Sequence, residues 1–245
     1  QEGDYYEDRL SFSVHTEYTS KLLAWGQHTK DRLVKLGCDS DKIILTGNTH
    51  LQNVLKESVN TEEVKKTLKL DPKKKIVLFM VGIQWGVRFQ DKMWHNFLYW
   101  FKNNPEWQAV IKWHPKVTYN SYQTIGKYMK ENFPGCLFLH NYDTYKLIPI
   151  ADWVVALGKT TSAVEALCWN KPLITSRGFD DKTDDLHEWN VSQPLEPFKK
   201  QSWKMLECHV PQAVLDGSSA FLDSYFYKRN SQAIEIAVDT AEQLM

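Results

Sequence analysis

At 245 residues the chain has material for one large domain or two small ones, with ample residues for a core. Thirty Lys and Arg balance thirty Asp and Glu, so the basic excess usual in a nucleic-acid binder is missing. The longest apolar runs are strand-sized, which excludes a membrane-spanning helix, and no signal peptide is visible.

Cys38, Cys136, Cys168 and Cys208 are far apart and make no CxxC or Cys/His ligand pattern. They read as reduced core residues of a cytoplasmic protein. Ten Trp are many for this length. Some belong in a core, and several stand at polar strand ends, where a flat ring flanks a sugar or a base.

Residues 1–18 are polar and tyrosine-rich, with one candidate strand at Leu10 to Val14. Lys21 to Trp25 is a short apolar strand, and Gly26 to Thr29 leads into a helix from Lys30 to Leu36, stopped by Gly37. Lys42 to Thr46 is the next strand, followed by a helix near Leu51 to Glu57 and another from Thr61 to Leu70. Ile76 to Val81 is wholly apolar, as a strand buried on both faces must be. It ends in a glycine-bearing loop, Gly82 to Arg88, before a helix from Phe89 to Asn103 with Met93, Phe97, Leu98 and Phe101 facing inward. Gln108 to Trp113 is a strand ending at His114-Pro115-Lys116. A helix from Tyr119 to Asn132 precedes the strand Cys136 to Leu139, which ends at His140-Asn141, and Asp143 to Ile150 is a short helix.

Asp152 to Leu157 is a strand, Gly158 to Thr161 a break, Ser162 to Trp169 a helix, and Leu173 to Ser176 a further strand. Beyond it the spacing predicts a charged loop from Arg177 to Asp185, a linker from Trp189 to Pro197, and helices over Phe198 to Cys208 and Phe221 to Leu244. Alternating strands and helices of crossover length predict a Rossmann-like, doubly wound parallel α/β sheet with C-terminal helices, and ligands at the carboxyl ends of its strands.

The loop at Gly158, Lys159, Thr160, Thr161 and Ser162 puts a glycine, a cation and three hydroxyls at a helix start, which suits a phosphate. Ser162-Ala163-Val164-Glu165 also spells a capping box, which needs no ligand, and the two readings stand side by side. Other strand ends carry Gly82, Gln84, Trp85 and Arg88; His114 and Lys116; His140 and Asn141; and Arg177. An edge that gathers these cations on a neutral protein is placed to bind an anion. Arg88 and Lys116 are more often solvated surface than ligands, and His140 reads equally well as an ordinary loop histidine. His114 is better placed, because His-Pro closes an apolar strand and holds the imidazole at the sheet edge. Gly82-Ile83-Gln84-Trp85-Gly86 is not GxGxxG and lacks a following ribose carboxylate, which argues against NAD.

The run Ala-Asp-x-x-Val…Thr-Thr-Ser-x-x-Glu-Ala-Leu…Lys-Pro-Leu-Ile resembles the C-terminal, nucleotide-binding half of GT-B glycosyltransferases. The likeness is greatest to enzymes of bacterial surface-polysaccharide assembly (capsule, lipopolysaccharide and teichoic acid). LLAWGQHTKDRLVKLGCDSDKIILTGN is similar to the entry into the same domain, and FLDSYFYKRNSQAIEIAVDTAEQL to its closing helices. A His-Pro like His114-Pro115 occurs in CDP-glycerol transferases.

The resemblance implies that the Thr/Ser loop meets the donor's phosphates, that Glu165 binds the ribose hydroxyls, and that His114 contacts the donor. It further implies residues 1–18 as a remnant of, or linker from, a missing N-terminal domain. Residues 19–195 become the donor-binding domain and residues 196–245 a helical tail. The catalytic base then comes from the N-terminal side, with Glu2 as candidate and His15 and Glu17 behind it.

Leu173 stands eight positions after Glu165, where retaining members often carry a second Glu, which leans towards inversion. No clustered Asp pair of the DxD type is read, so a catalytic metal is not required, and no cofactor is expected besides the donor substrate. The implied partners are a nucleotide-sugar or CMP-/CDP-activated donor and a glycan or lipid-linked acceptor, met in the cytoplasm or peripherally at the inner membrane face. Two alternatives stay open: a UDP-sugar 2-epimerase, whose Gly-Gly-x-Gln-Glu-Glu signature is absent, and a non-catalytic nucleotide-binding module.

Overall fold

Seven consecutive apolar or aliphatic-stemmed residues make β3 (Lys75–Val81), and all after Lys75 are buried. Beside it β4 (Trp107–Trp113) is buried along its whole length. Such strands need cover on both faces, and helices supply it. The computed structural model describes residues 19–81, 91–115, 126–128, 130–157, 161–176, 185–196, 199–208, 212–227 and 232–244. Within it the chain divides into two compact units, residues 1–58 with 219–245, and residues 59–218.

In the first unit, β1 (Leu22–Ala24) and β2 (Ile43–Leu45) form a two-stranded parallel sheet, with α1 (Gln27–Lys35) between them in sequence. Ala24, Leu33, Cys38 and Ile43 form its core. The sequence carries one DxD spacing after all, Asp39-Ser40-Asp41, and it is a turn. The Asp39 carboxylate accepts the Asp41 N–H at 2.9 Å. Asn48 caps α2 (Thr49–Lys56) by accepting the N–H groups of His50 and Leu51. Gly26 passes so close to the Ser224 and Tyr225 carbonyls that no Cβ fits there.

The second unit begins with α3 (Thr61–Thr67) and holds a six-stranded, wholly parallel sheet: β3, β4, β5 (Cys136–Leu139), β6 (Trp153–Leu157), β7 (Leu173–Ser176) and β8 (Gln193–Leu195). The spatial order is β5-β4-β3-β6-β7-β8. Counted within this sheet that is 3-2-1-4-5-6, the dinucleotide-fold order, whose direction reverses between β3 and β6. The Asp152 carboxylate accepts the Ile76 N–H at 2.7 Å and fixes the register of those two central strands.

One face of the sheet carries Val77, Phe79, Ile111, Trp113 and Val155 against α4 (Asp91–Lys102) and the 3-10 helix Lys200–Glu207. Phe79 meets Phe97 edge-on at 4.4 Å between ring centres and Trp203 at 5.9 Å. The tryptophans expected at polar strand ends are mostly here. Trp94, Trp100, Trp107, Trp113, Trp153 and Trp203 are all buried, because strand and helix periodicity turns them into the core, and Trp25 is buried in the first unit.

Several expected elements differ in kind. The linker over Trp189 to Pro197 contains β8, an edge strand paired to β7. The expected α-helix over Phe198 to Cys208 is 3-10. The long closing helix is two, α8 (Gln212–Tyr225) and α9 (Ala233–Glu242). A short α7 (Asp185–Glu188) ends the loop after β7. Cys208 is exposed rather than in the core, Cys136 and Cys168 are half-buried, and none of the four is in a disulfide.

Candidate functional site

Parallel strands end at one edge, so residues far apart in sequence converge there. His114 follows β4, and its N–H bonds the Val81 carbonyl at 3.0 Å, which continues the ladder one residue past the strand. Ser162 stands in the first turn of α6 (Thr161–Leu167), which follows β6. Thr144 begins α5 (Thr144–Leu147), whose start is fixed by Asp143 capping the Tyr145 N–H at 2.9 Å. His114, Thr144 and Ser162 line one pocket open to solvent, together with Met80, Val81, Lys112, Trp113 and Pro115. That is the carboxyl edge of β3 and β4, beside the reversal point where this fold takes ligands.

Glu165 lies three residues beyond Ser162 and so on the same side of α6. It is 5 % exposed. The Tyr145 hydroxyl donates to its Oε1 at 3.0 Å, and the Tyr145 ring packs beside Trp169. Burial raises the Glu165 carboxyl to about 7, and the Tyr145 hydrogen bond partly offsets that rise by favouring the ionised form. Burial, and then the neighbouring Glu165, push the Tyr145 phenol upwards. Ser162 falls in the first turn of α6, which begins at Thr161, and Glu165 is engaged by Tyr145.

Sequence reasoning passed over Lys112, Thr144 and Tyr145. Lys112 is a lysine in the otherwise apolar or neutral strand WQAVIKW and is 6 % exposed. Its ammonium donates to the backbone carbonyls of Trp113 and His140, each at 2.8 Å. Burial lowers its pKa, opposed by the charge of Asp143. His140 therefore serves this edge through its carbonyl. The one available signal was a cation inside a buried strand, which is rare unless it is paired or used. At the end of β7, Thr175 bonds His187 at 2.7 Å and Ser192 at 2.8 Å, which satisfies two buried hydroxyls and ties β7 to the start of β8. Glu2, Gly82, Gln84, Trp85, Arg88, Lys116, Gly158, Lys159, Thr160 and Arg177 lie outside the described residues.

No protein-family model and no curated protein matches the sequence. Solved structures do match its fold. HepE from Anabaena, in complex with UDP and glucose, is 15 % identical with a TM-score of 0.59. That match covers 98 % of this chain and 67 % of HepE. The wall teichoic acid polymerase TagF is 18 % identical with a TM-score of 0.66, over 97 % of this chain and 62 % of that one.

The fold is GT-B-like. The UDP-GlcNAc 2-epimerase of Neisseria meningitidis, bound to UDP-GlcNAc, shares it at 15 % identity and a TM-score of 0.65, over 91 % of this chain and 62 % of that one. The GT-B-like chain thus spans about two thirds of the length of each of these neighbours. Among the described residues no helix is long and apolar enough to cross a membrane.

Proposed function

We propose that this chain is the donor-binding half of a glycosyltransferase that uses a nucleotide-activated sugar in bacterial surface-polysaccharide assembly. The observation that carries the reading is the convergence of His114, Thr144 and Ser162 on one pocket at the carboxyl edge of the sheet, with Glu165 buried one helical turn from Ser162. HepE, whose structure contains UDP and glucose, has the same fold.

In this reading the imidazole of His114 and the hydroxyls of Thr144 and Ser162 donate to phosphate oxygens. As the bond to the sugar breaks, those donors stabilise the charge that gathers on the leaving phosphate. Ionised Glu165 has a second oxygen beyond the one Tyr145 engages, and that oxygen accepts a ribose hydroxyl. The base that deprotonates the acceptor comes from the N-terminal side. Transfer is inverting and independent of metal, and the acceptor is a glycan or lipid-linked chain met at the cytoplasmic face of a membrane.

A thermal-shift panel of UDP, CMP, CDP and GDP tests the site. One nucleotide at a hundredfold excess over its Kd is expected to stabilise the chain by about 2.7 kcal/mol. Glu165→Ala and His114→Ala are expected to diminish that shift. No shift with any nucleotide defeats the proposal, and release of an epimerised sugar from UDP-GlcNAc replaces transfer with epimerisation.

A further inference from the structure

Lys112 is a buried cation with no carboxylate of the described residues within ion-pair distance. Its ammonium has three N–H donors. Two go to the carbonyls of Trp113 and His140, both at the carboxyl edge, so the third lies at the same edge. The residue lines the pocket that His114, Thr144 and Ser162 also line. Met80 is its register partner on β3, and side chains of paired residues share a face of the sheet.

Backbone carbonyls carry partial charge and do not neutralise an ammonium. Asp143, which lies close enough to act on it through space, is exposed and already caps α5. For the ligand-free fold, a methionine here would fill the same space without the desolvation of a charge. A charge kept in such a place is explained by a second charge that enters later.

We infer that Lys112 is the anion-binding residue of this pocket, its third N–H reserved for a phosphate oxygen of the donor. The assignment rests on the donor-pocket reading above. It adds that affinity for the phosphates, and not for the nucleoside, comes from the floor of the pocket on β4. It also makes Lys112 a residue that serves binding at the expense of stability.

Calorimetric titration of the chain with uridine, uridine diphosphate and inorganic pyrophosphate tests it, in wild type and in Lys112→Met. A charge-assisted hydrogen bond is worth about ten- to a hundredfold in affinity. Lys112→Met is expected to weaken uridine diphosphate and pyrophosphate by that factor, to leave uridine within about twofold, and to melt no lower than wild type without ligand. Lys112→Gln, which keeps a donor but not the charge, is expected to fall between the two. It also carries the test if the methionine variant does not fold.

Unchanged binding of uridine diphosphate in the variants overturns the inference alone. So does an equal loss for all three ligands, which marks Lys112 as a tie between β4 and the end of β5. A wild-type chain that takes up none of the three and no nucleotide of the thermal-shift panel overturns the donor-pocket reading itself.

Discussion

Glu165 gives the sharpest test of the site's electrostatics, because its ionisation is linked to folding. In an unfolded chain its carboxyl titrates near 4.5, and burial raises it to about 7 in the fold. The folded state therefore holds this proton more tightly. Its contribution to stability is fully present below pH 4.5 and is lost as pH rises through 7. Each pH unit between the two values is worth about 1.4 kcal/mol, so about 3 kcal/mol disappears across that window. Glu165→Gln keeps the shape and an acceptor for the Tyr145 hydroxyl but carries no proton to lose. Urea unfolding followed by the fluorescence of the buried tryptophans, at pH 4.5 to 8, yields stability curves for both proteins. The variant's advantage over wild type is expected to grow by about 3 kcal/mol between the two ends of the range. Parallel curves would refute the reasoning, since they would mean that Glu165 titrates as an exposed carboxylate does.

Tyr145→Phe removes the donor that favours ionised Glu165, so the carboxyl moves further up. Under the proposed function, UDP affinity of the variant falls several-fold at pH 7 and recovers at pH 8.5, read by calorimetry; a loss equal at both values disproves the link. Gly26→Ala forces a Cβ against the Ser224 and Tyr225 carbonyls and is expected to destabilise the first unit by about 1–3 kcal/mol, measured by thermal unfolding. Unchanged melting would show that the backbone there yields at no cost.

The central strands were legible because an apolar run bounded by Gly, Pro and polar residues has one economical fate in an α/β chain. Cys136–Leu139 and Leu173–Ser176 match the sequence expectation residue for residue. β8 was missed for a physical reason: Pro194 has no N–H to give a ladder, which argues against a strand unless it lies at an edge. β8 does lie at an edge, and the sequence alone cannot say so. The two closing helices were merged because Phe221 to Leu244 keeps a loose helical spacing across Lys228 to Ser231, a polar stretch that the periodicity does not penalise.

His114 and Ser162 were legible because they follow strands, and in a parallel sheet the residue after a strand is at the ligand edge. Glu165 was legible as a residue but not as an environment. Its partner Tyr145 is twenty positions away, on a helix whose packing no local pattern reports. Lys112 was hidden most completely, since a lysine inside a strand gives no sign of where its ammonium ends.

Those two buried groups, one on a strand and one on a helix, carry opposite charges and do not pair with each other. Glu165 is met by a phenol and Lys112 by carbonyls. Selection for stability alone would have joined them or replaced both with apolar side chains. Their separation is what a site needs if it is to offer a cation to phosphates and a carboxylate to a sugar hydroxyl in one ligand. It follows that Lys112→Met and Glu165→Gln, whose hydrogen-bond partners differ, should change stability at pH 8 by amounts that add nearly in full. A double variant that departs from that sum would mean that the two charges sense each other through the fold, and that the pocket is a structural ion network instead.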